Sequence, residues 1–209
     1  MHHEFWHQRW TTNQIGFHEP AANPMLVKHF ASLNLKKGSR VFVPLCGKTL
    51  DVAWLRGQGY HVVGAELSKL AIDQLFIDLG VEPVITQAGN LHHYHSQHVD
   101  ILVGDIFDIS ASTLGQVDAI YDRAALVALP AEMRKRYTQH LVNLTNAAPQ
   151  LLICFEYDQS LVDGPPFSVV ADEVRRNYGS QYELIQLDSV LEKLKGQFAA
   201  VEVVWKLKK

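Results

Sequence analysis

Cysteine is scarce in this chain of 209 residues: Cys46 and Cys154 are the only two. Neither has a C-x-x-C partner, which excludes a disulfide framework and a thiolate zinc ribbon. Both lie within or at the ends of apolar runs, as buried thiols of a reducing, cytoplasmic protein do. Positive charge is also in short supply. Lys and Arg number 19 against 22 Asp and Glu, for a formal net charge of −3, so the basic surplus that draws a chain to nucleic acid or to an anionic membrane is missing. The one basic run, at 206–209, reads as a solvated tail. No apolar run approaches the roughly 18 residues of a membrane span, and the first residues lack the apolar core of a signal peptide. There is no internal repeat and no low-complexity stretch. The rest is ordinary for a globular protein, with 47% hydrophobic and 20% charged residues. One domain over 1–209 is expected, with 1–35 as an N-terminal lid and helices and 39–209 as the core. No apolar helix face is left over, so a monomer is expected.

Glycine is missing where it matters most. Residues 39–66 read as strand, tight loop, helix, strand and acid. Val41-Phe42-Val43 is a short run suited to a strand buried on both faces. Pro44-Leu45-Cys46-Gly47 breaks it, Leu50, Ala53 and Trp54 recur at helical spacing, and a second strand ends at Glu66. This is a βαβ unit of about thirty residues. Gly47-Lys48-Thr49 suggests a phosphate-binding loop, but the position that needs glycine is Phe42, so backbone amides cannot wrap a polyphosphate. A dinucleotide fingerprint wants three glycines where this loop offers Gly47 alone. A cofactor with a ribose and no pyrophosphate remains, and S-adenosylmethionine fits. Glu66, nineteen residues after Gly47, stands where an acid accepts a ribose diol; a solvated acid at a strand end is the competing reading.

The elements continue in alternation. Leu26, Phe30 and Leu33 predict a helix within 20–35. Ser68 caps a helix whose stripe is Ile72, Leu75, Phe76 and Leu79. Short strands at 84–86 and 91–95 flank Gly89-Asn90 as a hairpin, an addition at the sheet edge. Strands at 99–103, 117–121 and 151–155 follow, with a helix after Pro130. The last strands are 182–187 and 201–207, with a loop or short helix between them. The predicted fold is doubly wound α/β. His92, His93, His95 and His98 gather near the hairpin; with Asp100 as the one nearby carboxylate and no cysteine, they read as a polar hairpin tip, and no metal is expected. No G-x-S-x-G elbow supports a hydrolase. Four aromatics, Phe5, Trp6, Trp10 and Phe17, mark the N-terminal segment as one that packs on something.

These residues also match a family. The chain resembles thiopurine S-methyltransferases of the bacterial type. The matching pieces are Phe5-Trp6-His7-Gln8-Arg9-Trp10 with Gly16-Phe17-His18, the loop Pro44-Leu45-Cys46-Gly47-Lys48, and Val63-Gly64-Ala65-Glu66-Leu67-Ser68. Gly104-Asp105-Ile106-Phe107-Asp108, Tyr121-Asp122-Arg123-Ala124-Ala125-Leu126-Val127-Ala128-Leu129 and Gly164-Pro165-Pro166-Phe167 follow in the family's order. The resemblance implies a seven-stranded, mostly parallel Rossmann-like sheet with helices on both faces and a covering N-terminal segment. It implies that Trp10 lies against S-adenosylmethionine, Leu45 touches its methionine part, Glu66 takes the ribose hydroxyls and Asp105 and Ile106 bracket the adenine. Arg123 would face the cofactor's carboxylate or the substrate, and Phe17 and Pro165 would wall the substrate side. Some relatives carry an arginine after the penultimate strand; here Lys193 is the nearest cation, a point charge rather than a planar fork.

The reaction so implied is methyl transfer from the cofactor to a small-molecule aromatic or heteroaromatic thiol; members are also associated with selenium and tellurium compounds. A sulfur nucleophile that is already largely thiolate needs no strong base, so no catalytic residue is assigned and Arg123 serves as an orienting group. The alternatives are a cofactor-binding domain without this activity and, against the glycine count, a nucleotide-dependent oxidoreductase.

Overall fold

A computed structural model of the chain describes residues 3–209; the first two residues of the expected lid lie outside them. The order is α1 (His3–Thr11), α2 (Pro24–His29), β1 (Arg40–Val43), α3 (Asp51–Gly57), β2 (His61–Glu66), α4 (Lys69–Asp78), β3 (Val84–Ala88), β4 (Leu91–Ser96) and β5 (Val99–Val103). Then come α5 (Ala111–Leu114), β6 (Ala119–Arg123), α6 (Ala131–Thr145), β7 (Gln150–Glu156), α7 (Ala171–Tyr178), β8 (Glu183–Leu194) and β9 (Phe198–Lys208). Among the described residues nine strands form one sheet, ordered β3-β4-β5-β2-β1-β6-β7-β9-β8. The five central strands, β5 to β7, run parallel; β3, β4, β8 and β9 enter as antiparallel pairs at the two edges.

The expected seven strands are therefore present, with the β3–β4 hairpin added beyond β5. Parallel strands need covering on both faces, and the burial follows that rule: every residue of β5 is buried. On one face Leu26, Phe30, Leu55, Ile72 and Leu75 from α2, α3, α4 and the turn Phe30–Leu33 pack on Val41, Val62 and Ile101. On the other, Leu114, Tyr137, Leu141, Val174 and Tyr178 from α5, α6 and α7 pack on Phe42, Val63 and Leu152.

Three boundaries differ from expectation. The predicted helix within 20–35 is α2 followed by the 3-10 turn, and its apolar side belongs to the core; the covering part of the N-terminus is α1 and the segment to Glu19. The strand expected at 117–121 starts at Ala119 and extends to Arg123. Between 187 and 201 the chain forms no loop or short helix: β8 and β9 run on as one long hairpin. A register shift between Gln186 and Asp188 resets the side-chain alternation there, which ends the period-2 signal in mid-strand. The outer end of the hairpin rests on the 157–170 loop through Val162, Leu194 and Ala200.

Asp122 sits under this sheet with no exposed surface. It accepts the Leu126 N–H at 3.1 Å and the Tyr137 hydroxyl at 2.8 Å. Burial outweighs those bonds and pushes its carboxyl up to about 6 from 3.8. The folded state thus holds a proton that the unfolded chain has released, and stability falls as pH rises from about 4 to about 6 by ~3 kcal/mol. Asp122→Asn is expected to remove that slope. In urea titrations across this window, the wild type minus variant difference should change by about that amount.

Candidate active site

The C-terminal ends of the parallel strands open on one crevice of about 760 Å³, a volume suited to enclosing a drug-sized ligand. The loop after β1 is its most constrained wall. Leu45 takes a left-handed φ of 47° and Gly47 one of 52°; a left-handed leucine costs on the order of 1–2 kcal/mol and is found where the surroundings hold it. The Cys46 N–H donates to the Ala65 carbonyl at 2.9 Å, binding the loop to β2. A Cβ on Gly47 would stand 3.0 Å from the Trp10 indole, so glycine is what lets the lid's ring close on the loop.

Glu66, at the end of β2, is buried. Its Oε2 accepts the Gly47 N–H and its Oε1 the Ser68 N–H, both at 2.8 Å. Burial raises its pKa, and the amides of Ser68 and Gly47 oppose that rise. Each oxygen keeps a further lone pair, so the fixed carboxylate has acceptor capacity left. Beside it Gly104, at φ 149°, leaves room for Leu91, which a Cβ would meet at 2.6 Å. Asp105 then turns the chain, accepting the Phe107 N–H at 2.9 Å, and Ile106 is buried next to it.

The lid lies across this wall. Trp10 is buried, and Phe17 stacks edge-on to both Trp6 and Trp10 at 5.9 and 5.5 Å. His3 Nε2 lies 3.0 Å from an Asp105 oxygen. Arg123, at the end of β6, donates to the Phe17 carbonyl at 3.3 Å and to Glu19 at 3.1 Å. It does not pair with Asp122, because neighbours on a strand face opposite ways and Asp122 is engaged beneath the sheet. Pro165 and Pro166 also line the crevice, and the Tyr157 hydroxyl donates to the Pro166 carbonyl at 2.6 Å. Lys193 and Lys195, near the tip of the β8–β9 hairpin, line the mouth. Every expected site residue therefore lies on one crevice.

A set of residues not anticipated in the sequence forms the floor. The Asn23 N–H donates to Asp51 Oδ1 at 2.7 Å and the Tyr121 hydroxyl to Oδ2 at 2.9 Å. Asn23 Nδ2 reaches Glu202 at 3.4 Å. Burial raises Glu202, and the Arg123 charge partly offsets it. Asp51, two residues after Gly47-Lys48-Thr49, was visible as an acid opening a helix; Asn23 before Pro24 was visible as a cap. Nothing local in the sequence marks Tyr121 or Glu202.

The model of the family described as thiopurine S-methyltransferase matches residues 1–208. The chain belongs to that family. Among curated relatives, a thiopurine S-methyltransferase of Xanthobacter autotrophicus is 56% identical, with all of both chains covered. One from Teredinibacter turnerae is 49% identical, covering 99% of this chain and 97% of its own. Among solved structures, a methyltransferase from Anabaena variabilis aligns with a TM-score of 0.67 at 16% identity, over 98% of this chain and 93% of that one. A Burkholderia thailandensis N1-methyltransferase, solved with S-adenosylhomocysteine, aligns at 0.64 and 15%, over 99% and 87%. These two show the fold, a class I methyltransferase sheet. As a thiopurine S-methyltransferase family member, the chain is an S-adenosylmethionine-dependent methyltransferase.

Proposed function

We propose that this methyltransferase binds S-adenosylmethionine along the β1, β2 and β5 strand ends and a planar heteroaromatic thiol of the thiopurine kind against Phe17, Pro165 and Arg123. The carrying observation is what converges on one crevice: the loops at the β1, β2 and β5 ends bring Leu45, Gly47, Glu66, Asp105 and Ile106, the N-terminal segment and the 157–170 loop bring Trp6, Phe17, Pro165 and Pro166, and the end of β6 brings Arg123.

Glu66 is the ribose acceptor, its remaining lone pairs held in place by two backbone amides. Asp105 reads the adenine's amine once its contact with His3 is given up, and Ile106 packs the ring. Asp51 and Glu202 put negative charge on the floor, which suits a cationic cofactor. Bound there, S-adenosylmethionine supplies a methyl group on a positively charged sulfur, already activated for displacement. The chain's own work is positioning and exclusion of water. Trp10 seals the cofactor side by lying on Gly47. Arg123 fixes the anionic sulfur, and the aromatic wall fixes the plane of the ring. Lys193 adds a second positive charge at the mouth.

No side chain is required as a base, so the rate should follow the substrate's own ionisation. Across a series of aromatic thiols of differing acidity, the pH midpoint of kcat/KM with labelled cofactor is expected to move with the thiol pKa. A midpoint that stays fixed would instead assign a proton-accepting residue to the protein. Lack of methyl transfer to every aromatic thiol, with cofactor binding intact by calorimetry, would refute the substrate class.

Two free, buried thiols, Cys46 and Cys154, support a cytoplasmic setting. Among the described residues no helix is long and apolar enough to cross a membrane.

A further inference from the structure

At the end of the sheet opposite the crevice, four titratable side chains meet in a place that methyl transfer does not use. His61 opens β2, His93 and His95 stand two apart on β4, and Asp100 is the second residue of β5. Within the ladder His95 is directly opposite Asp100, and Val62 is opposite Val99. Strand alternation sends His61, His93, His95 and Asp100 to the same face as Val63 and Leu102, while Val62 and Ile101 serve the other core. His92, His93 and His95 are therefore in β4, not at the hairpin tip, which is Gly89-Asn90, and His98 is in the turn between β4 and β5.

They converge on one carboxylate. Asp100 Oδ1 lies 2.8 Å from His93 Nε2 and 2.7 Å from His95 Nδ1, and Oδ2 lies 2.6 Å from His61 Nε2. The donor atoms of His93, His95 and Asp100 all fall within 4.8 Å of one another. Asp100 is buried, whereas the His93 and His95 side chains are 33% and 56% exposed, so the cluster is open on the solvent side. His98 adds a ring edge-on to His61 at 6.2 Å.

The three donor atoms lie close enough together for one divalent ion to take both nitrogens and the oxygen at once. Imidazole with carboxylate suits zinc, nickel or copper, and ligand bonds of about 2.0–2.2 Å need only small side-chain swings from these separations. His61 would hold the second oxygen, as outer partners commonly orient a ligating carboxylate. The paired strands fix the spacing of the three ligands.

We propose that His93 Nε2, His95 Nδ1 and Asp100 Oδ1 form a binding site for one divalent transition ion of the zinc class, with His61 as the residue that positions Asp100. The ion clamps β4 to β5 at the sheet's edge, away from the methyl-transfer crevice.

The test uses the full chain without a polyhistidine tag, stripped with a chelator and titrated with zinc chloride by calorimetry near neutral pH. One equivalent is expected to bind, with a rise in Tm, and binding should be lost as the imidazoles protonate in acid. The double change His93→Gln with His95→Gln should weaken this binding more than about 100-fold, and His61→Gln by about 10–100-fold. Methyl transfer to an aromatic thiol should be unchanged in all of them. If the double variant is unfolded by circular dichroism, Asp100→Asn carries the same test. Failure of the native chain to bind one equivalent overturns the site. So does binding that the variants leave unchanged, which would place the ion elsewhere, for example on the N-terminal histidines.

Discussion

Replacing Glu66 by alanine is expected to weaken S-adenosylmethionine binding by a factor of about 100 to 10,000. Two hydrogen bonds from a ribose to a charged acceptor are worth roughly 1.5–3 kcal/mol each, and each 1.4 kcal/mol is tenfold. The same change strips the acceptor from the Gly47 and Ser68 amides. Leaving both unpaired costs about 1–3 kcal/mol apiece, offset in part because burial disfavours the carboxylate's charged form. A modest fall in Tm should therefore accompany a large fall in affinity. Glu66→Gln separates the two effects. It keeps the shape and one acceptor oxygen, so stability should recover more than affinity does. Calorimetric titration with the cofactor and a thermal melt read both quantities. Affinity in the alanine variant within threefold of wild type would remove the ribose role from Glu66.

Arg123→Ala is expected to lower kcat/KM for an aromatic thiol by about 100-fold, the loss that follows misplacing a reacting group. Its folding cost should be small. In the folded chain the guanidinium makes one long bond to a carbonyl and one ion pair with half-exposed Glu19, and pairs of that kind contribute about 0–1 kcal/mol. Glu19→Gln is the control, because it removes the ion pair and leaves the guanidinium in the crevice. If Arg123 only fastens the lid, the two variants will lose the same amount, and mainly in cofactor affinity. If it orients the sulfur, Arg123→Ala alone will lose kcat. A fall in Tm that matches the fall in rate would also defeat the site role.

The central βαβ unit was readable because β1 and β2 are largely buried and carry short apolar runs, and because Gly47 and Glu66 sit at loop and strand ends fixed by the chain itself. Residues whose role is local were readable too, such as the Ser68 cap. What stayed hidden depends on non-local geometry. Glu202 becomes a floor residue only through the pairing of β9 with β7, and Tyr121 only through a hydroxyl that crosses to Asp51. The β8–β9 hairpin was hidden by a single bulge. The histidines were seen, but their meeting at Asp100 was not, because alternation across three different strands decides whether they converge.

The contact of Trp10 with Gly47 has a further consequence for how the molecule comes to exist. The segment that carries Trp10 is translated before the surfaces it rests on, which are the β1 loop, Asp105 and Arg123. During synthesis its aromatic residues have nothing to cover. The crevice can therefore be roofed only after the strands through β6 have assembled, so a segment made earlier than its supports takes its place after them.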